Sequence, residues 1–370
     1  MLKTGEEIHK AVKKQEDTRP LVYFNRLQLA TDSCLKHSYR PRPKHRFYSS
    51  YTHGLSYCLT PKVACTHWIN VFRFLANDTG GRVYKSPFDI PRVITHYALK
   101  KHMSYSEKIS ESMGSNLRFM FVREPYARLW SAYLDKLFLP DFWRTFASNI
   151  ARFLKLKRRR CPTGITFRGF LDYIVASRPS ILQEHWAPYR FICDVCTFRP
   201  HIIGKMETFM QDNEYILEKV GLSWIMDDIT SHNHVEEELK MLTDYNFKFI
   251  EKKLISPSCL NNSHLSNRLW TTFQMNGYIR STSVVNFRNN SYWSRETFKQ
   301  EVLNHYRKDK PTPQEIKKIR AENLRQVYSG ISNSVLIKLR EIYKEDFEMF
   351  GYDPNLIPLN NEDESDLSLS

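Results

Sequence analysis

The chain has 370 residues, 41% of them hydrophobic and 26% charged. That composition excludes a largely disordered protein and is long enough for one large domain or two modest ones. Lys and Arg number 55 against 40 Asp and Glu, a formal surplus of +15 that suits a polyanionic partner: nucleic acid, an anionic membrane or an acidic polysaccharide. A merely basic surface would give the same number.

Residues 1–50 are polar and basic, end in "YRPRPKHRFYSS", and read as a flexible stem or linker. The most apolar stretch there, Leu21 to Ala30, is interrupted by Asn25, Arg26 and Gln28. It falls far short of the roughly 20 apolar residues of a membrane span. No signal peptide is visible, so this chain by itself predicts a soluble intracellular protein. Three Asn-x-Ser/Thr sequons, at Asn77, Asn261 and Asn289, lean instead toward a secretory route.

The apolar run Leu55 to Leu59 predicts a strand that stops at Thr60-Pro61. Lys62, small residues and Thr66 follow. Then Trp68, Val71, Phe72 and Leu75 recur at helical spacing. A strand feeding a helix through a tight turn aims backbone N–H groups at an anion. Lys62 adds a positive charge, Val63, Ala64 and Cys65 let an anion approach, and Thr66 adds a hydroxyl. A Walker A loop would carry two glycines and Lys directly before Ser/Thr. Here both glycines are missing, which argues against ATP or GTP. The loop alone equally fits a strand–helix turn with an exposed lysine.

A second unit repeats the grammar. "LRFMFV", residues 117–122, predicts a buried strand, and Tyr126, Leu129, Trp130, Tyr133 and Leu137 one helical face. Arg123 stands at the strand's carboxyl end and Ser131 eight residues on, suited to a bidentate phosphate contact and a hydroxyl donor. Arg128 is a third nearby cation. Ligands of α/β sheets sit at carboxyl ends of strands, so the two turns suit a ligand with two separated phosphates. A third unit runs from "HIIG", residues 201–204, into a helix over 206–220. The basic run from Arg152 to Arg160 reads as a solvated helix end or an anion patch. Residues 222–330 read as an insertion packed on the core, residues 335–353 as one final helix, and residues 354–370 as a disordered acidic tail.

The pair "TPKVACTHW" and "FVREPYARLWSAY" resembles the Golgi carbohydrate sulfotransferases of the chondroitin 4-O, dermatan 4-O and HNK-1 group. "EHWAPYRFICDVC", "IGKMETFMQDNEYILEKVGL" and "YKEDFEMFGYD" resemble the same group in the same order. The resemblance covers residues 57–222 and 335–353. It implies a P-loop-like three-layer α/β fold with a central, mainly parallel sheet flanked by helices. The sulfotransferase domain would span residues 51–353, with the 222–330 insertion atypical of the group.

The resemblance further implies 3′-phosphoadenosine 5′-phosphosulfate (PAPS) as co-substrate and no metal. Lys62, Val63, Ala64, Cys65, Thr66, His67 and Trp68 would form the 5′-phosphosulfate loop. Arg123, Glu124, Pro125, Tyr126, Ala127, Arg128, Leu129, Trp130 and Ser131 would form the 3′-phosphate site, with Arg123 and Ser131 its main contacts. The implied partner is an anionic glycosaminoglycan rather than nucleic acid. The implied acceptor is the GalNAc 4-hydroxyl of chondroitin or dermatan, ahead of the glucuronyl 3-hydroxyl of HNK-1-type glycans. The implied location is the lumenal side of the Golgi membrane, although the anchor usual in the group is not visible here.

Charge gives the mechanism. Negative charge builds on the leaving 5′-phosphate oxygen, where Lys62 is the candidate cation. A histidine is the best-matched base for the acceptor hydroxyl. Of thirteen, His96 stands first by a weaker likeness to uronyl and heparan 2-O sulfotransferases. His185 in "EHW" follows, and Glu184 is a lesser candidate. Cys193 and Cys196 form a C-x-x-C that reads as a local disulfide or an ordinary structural pair; no cysteine is expected to be catalytic. Two other classes remain: a P-loop kinase or NTPase, for which no acidic Mg²⁺ ligand after a strand is found, and a non-catalytic polyanion-binding protein.

Overall fold

A computed structural model describes residues 20–36, 46–96, 104–105, 114–157, 161–231, 233–288 and 293–360. Arg158 to Arg160, Asn289 and the acidic tail beyond residue 360 lie outside them. The chain divides into two compact units. One holds residues 1–128, 179–231 and 340–354; the other holds 129–178, 232–339 and 355–370.

The first unit is a five-stranded sheet in the order β3-β1-β2-β4-β5, where β1 is Arg46–Ser50, β2 Leu55–Cys58, β3 Ser104–Tyr105, β4 Leu117–Val122 and β5 Ile202–Lys205. Strands β2, β4 and β5 are parallel neighbours; β1 and β3 pair antiparallel on the far edge. The parallel half is buried, as its unbroken apolar runs require. With the helices around it, this is the mixed α/β architecture that the sequence implies.

Five helices of this unit matter below: α1 Leu21–Lys36, α2 Cys65–Leu75, α3 Arg92–Thr95, α5 Phe209–Lys219 and α6 Lys344–Phe350; α4, Pro125–Tyr133, starts in this unit and runs on into the other. Helix α2 lays Trp68 on the sheet, its ring 4.4 Å from Phe119 and 6.0 Å from Phe121. Tyr57 and Phe119, register partners on β2 and β4, stack at 5.1 Å. Gly204 sits opposite Phe121, and a Cβ there would meet that ring at 2.5 Å, so only glycine admits it.

The expected stem contains α1, a helix packed on the core. Tyr23, Arg26, Ala30 and Ser33 recur at helical spacing and are its buried face. Arg26 ion-pairs with Asp212 at 2.9 Å and donates to the Ile203 carbonyl at 3.0 Å, holding α1 against the end of β5. Tyr23 stacks on Tyr215 of α5 at 4.2 Å.

The cysteine pairing departs from the expected local bridge. Cys196 pairs with Cys34, 162 residues away, and Cys193 with Cys58, 135 residues away. Between them Asp194 caps a short helix, Val195–Phe198, through the Cys196 and Thr197 N–H groups. That turn parts the two thiols, one toward the end of β2 and one toward α1. The expected single final helix also breaks at Tyr343, dividing Asn333–Ile342 from α6. There the Tyr343 hydroxyl donates to the Trp186 carbonyl, and Asp346 accepts from the Tyr189 N–H at 3.1 Å.

The second unit is helical, including most of the stretch read as an insertion. Helices His234–Glu251, Asn262–Met275, Arg295–Lys308 and Pro313–Ser329 are each capped by a side chain: Asn233, Asn261, Ser294 and Thr312. Phe247, Phe273 and Phe298 pack together, and Cys161–Cys259 closes a 98-residue loop. Among the described residues no helix is long and apolar enough to cross a membrane.

Candidate active site

Strands β2, β4 and β5 run parallel, so their carboxyl ends lie on one edge of the sheet. The turn after β2 is pinned first. The buried Thr60 hydroxyl donates to the Phe121 carbonyl of β4 at 3.1 Å. The chain then enters the left-handed region twice without glycine, at Lys62 (φ 70°) and Ala64 (φ 60°). Each such residue costs on the order of 1 kcal/mol. Left-handed residues in such a turn can aim successive backbone N–H groups to one side, a geometry suited to anions. Ala64 is the N-cap of α2 and supplies no side-chain hydrogen bond. The helix therefore presents its N-terminus, with the dipole behind it, beside Lys62 and Thr66.

His96 is brought to this loop: its Nε2 lies 3.4 Å from Thr66 Oγ1. It ends α3, and α3 is tied to α2 from below. The Thr95 hydroxyl donates to Asn70 Oδ1 at 2.6 Å, and Arg73 Nε donates to the Thr95 carbonyl at 3.0 Å. Asn70 also donates to the Ile90 carbonyl at 3.2 Å. His67, two residues before Ile69 in the same helix, is packed differently: stacked 5.0 Å from Phe88 and bonded to Asn213 at 3.0 Å. Trp68 is fully buried in the core. These two residues of the expected loop are its scaffold. Cys65 is the free cysteine, half-buried in the first turn of α2.

The second turn is held by different means. The Arg123 N–H donates to the Tyr189 hydroxyl at 2.9 Å, and the half-buried residue stands at the end of β4. Glu124 turns its carboxylate onto the start of α4, accepting from the Tyr126 N–H at 2.9 Å and the Ala127 N–H at 2.7 Å. Its own N–H donates to Glu207 at 3.1 Å. Burial pushes the Glu124 carboxyl up to about 7. Pro125 opens the helix, where its missing N–H costs nothing. Tyr126 and Leu129 are buried, and Trp130 packs edge-on to Phe167 at 4.9 Å in the second unit. Ser131 is half-buried on the same helix, past the residue at which that unit begins.

Arg128, expected as a third ligand cation, is enclosed instead. It donates to the carbonyls of Ala187 at 2.7 Å, Glu184 at 3.0 Å and Pro61 at 3.5 Å, and lies 4.5 Å from the Tyr189 ring centroid. The segment that carries Glu184 and His185 is thereby fastened to the Lys62 loop. His185 bonds its ring nitrogen to Gln183 at 2.8 Å. Sequence reading missed Asn70, Arg73, Tyr189 and Lys205. Only Lys205 had a local signal, as the residue after "HIIG" at a third strand end.

Among the described residues no group of three or more His, Cys, Asp or Glu is arranged to hold a metal ion. One edge of the sheet thus carries a helix start without a side-chain cap beside a lysine and a histidine, and a second strand end with an arginine. The chain belongs to the Sulfotransferase family, whose match covers residues 45–253, more than half of its length. It is 28% identical to mouse carbohydrate sulfotransferase 11 over 59% of this chain and 67% of that one. It is 28% identical to human carbohydrate sulfotransferase 10, over 76% and 83%. Zebrafish carbohydrate sulfotransferase 14 is 32% identical, over 46% of each. No solved structure matches.

Proposed function

We propose that this chain transfers the sulfuryl group of PAPS to a hydroxyl of an anionic glycan. The observation that carries the reading is the glycine-free left-handed turn at Lys62 and Ala64 opening an uncapped helix, with His96 3.4 Å from its threonine. The helix start and Lys62 hold the 5′-phosphosulfate, and Arg123 with Ser131 holds the 3′-phosphate. His96 Nε2 takes the proton of the acceptor hydroxyl as the new S–O bond forms. The S–O bond to the 5′-phosphate breaks, and Lys62 neutralises the charge left on that oxygen, a contact strongest in the transition state. A buried base would need a partner to stay matched to its task; the exposed His96 keeps access to the acceptor.

The relatives are carbohydrate sulfotransferases, and the +15 surplus suits an anionic acceptor. The GalNAc 4-hydroxyl of chondroitin or dermatan is the first acceptor to test, and the glucuronyl 3-hydroxyl the second. Three disulfides among seven cysteines favour an oxidising compartment, in keeping with a Golgi-lumenal glycoprotein. Of the two sequons among the described residues, Asn77 is exposed and Asn261 half-buried. A glycosidase-sensitive mass at Asn77 supports that location; free thiols at Cys34 and Cys196 in the native protein would remove it.

Radiolabelled PAPS is incubated with the protein, desulfated chondroitin, dermatan and glucuronyl acceptors, and EDTA. Label transfer is expected, lost in Lys62→Ala and cut about 10²-fold or more in His96→Ala. A folded protein that labels none of these acceptors overturns the proposal. A His96→Ala variant at full rate, with His185→Ala inactive, moves the base to the other segment.

A further inference from the structure

Three neighbouring strand ends lie on one edge, and the proposed site uses two of them. The third, β5, ends in Lys205, the register partner of Val122, which directly precedes Arg123. The order along the edge is therefore Lys62 after β2, Arg123 after β4 and Lys205 on β5. Lys205 is thus at the strand end next to Arg123, on the side away from Lys62.

Lys205 is a cation with carboxylates nearby but none in direct contact with its ammonium. Its ammonium sits 4.2 Å from the centroid of the Tyr352 ring, and the side chain is half-buried. Two carboxylates are near, and both are engaged. Asp212 accepts from Arg26 at 2.9 Å, from the Tyr23 hydroxyl at 3.0 Å, and from the Thr208 hydroxyl and the Lys205 backbone N–H, each at 2.7 Å. Glu207 accepts from the Glu124 N–H at 3.1 Å and the Tyr352 hydroxyl at 3.0 Å. Among the described residues Lys205 forms no ion pair. Burial foremost, and then the Arg26 charge, lowers its pKa, while the Glu207 and Asp212 charges only partly offset that. A half-buried ammonium left in this condition gains when a ligand brings the missing charge.

The same contacts tie Lys205 to the turn that carries Arg123. Tyr352, under the ammonium, is bonded through Glu207 to the backbone of Glu124, the residue after Arg123. Lys205 and Arg123 are thus held on one frame. We infer that Lys205 is a further donor-binding residue, the second cation with Arg123 for the 3′-phosphate of the nucleotide. The inference rests on the PAPS reading above. A dianionic phosphate between a guanidinium and an ammonium gains a second charge-assisted contact, which a nucleotide lacking the 3′-phosphate cannot make. An acidic group of the glycan acceptor is the rival occupant.

The test is calorimetric titration of the full chain with adenosine 3′,5′-bisphosphate and with adenosine 5′-phosphate. Lys205→Met is expected to weaken the bisphosphate about tenfold or more, the worth of one charge-assisted contact, and to change the monophosphate less than about twofold. Lys205→Arg restores most of the loss. Should Lys205→Met fold poorly, Lys205→Gln, of similar length and uncharged, reads the same difference. Unchanged bisphosphate affinity, an equal loss for both nucleotides, or a defect confined to the KM of the glycan acceptor each overturns the assignment. Wild-type protein that binds no bisphosphate overturns the sulfotransferase reading itself, so the two failures are told apart.

Discussion

The turns after β2 and β4 solve the same problem in opposite ways. After β2 the backbone passes through left-handed Lys62 and Ala64, and α2 starts with no side-chain cap. After β4 the chain enters α4 with the Glu124 carboxylate already on the Tyr126 and Ala127 N–H groups. One helix start has no side-chain cap, as the proposed donor site requires; the other is filled by a carboxyl group of the chain itself. A ligand at the second turn therefore meets side chains, chiefly Arg123, and little helix dipole. At the first turn it meets backbone, dipole and Lys62 together. Such a division suits a donor with one charged group that reacts and another that only anchors.

Kinetics give the largest way to break the comparison. Lys62→Ala is expected to lower kcat for PAPS about 10²- to 10³-fold, because its contact strengthens at the leaving oxygen. Arg123→Ala is expected to act mainly on the donor KM, by about tenfold to a hundredfold, as loss of uniform binding does. Equal kcat losses in the two variants would erase the distinction between a reacting and an anchoring turn.

Stability sharpens it next. Glu124→Ala uncovers the start of α4 and should cost about 1–2 kcal/mol in urea unfolding. The pH dependence has a definite sign. Burial raises the folded-state pKa of Glu124 to about 7, from 4.5, and that of buried Asp346 to about 7 as well. Their favourable contribution is full below the ordinary values, 4.5 for Glu124 and 3.8 for Asp346, and is lost as pH rises through 7. Wild-type stability should fall by several kcal/mol across that window, at about 1.4 kcal/mol per pKa unit of each shift. Glu124→Gln should flatten the slope; an unchanged slope would detach it from Glu124.

The smallest effect concerns the glycine-free loop. Ala64→Gly removes a Cβ from a left-handed position and should raise stability by about 1 kcal/mol; Ala64→Val should lower it by a similar amount. If both variants melt with the wild type, the φ of 60° at Ala64 carries no strain.

Much of the frame was legible in the sequence because it depends on neighbours in the chain. The apolar run Leu117 to Val122 is the strand that it reads as, and the period of Trp68, Val71, Phe72 and Leu75 is the buried face of a helix. Lys62 and Arg123 each fall just past a strand, where the parallel sheet brings such ends to one edge. The sequence also showed that glycines were absent from the Lys62 turn, without showing that Lys62 and Ala64 take the conformation glycine would have taken.

The tertiary structure decided what depends on residues far apart in the chain. Arg128 reads as a ligand cation, yet it is buried and donates to carbonyls at Glu184 and Ala187, more than fifty residues later. Cys193 and Cys196 read as a local pair, yet each meets a cysteine over a hundred residues away. The N-terminal stretch reads as a stem, yet Arg26 finds Asp212. Spacing along a sequence carries the period of a strand or helix and the end of a turn. Which buried donor meets which acceptor is set by the requirement that every enclosed charge find a partner, and that is settled only when the distant segments pack.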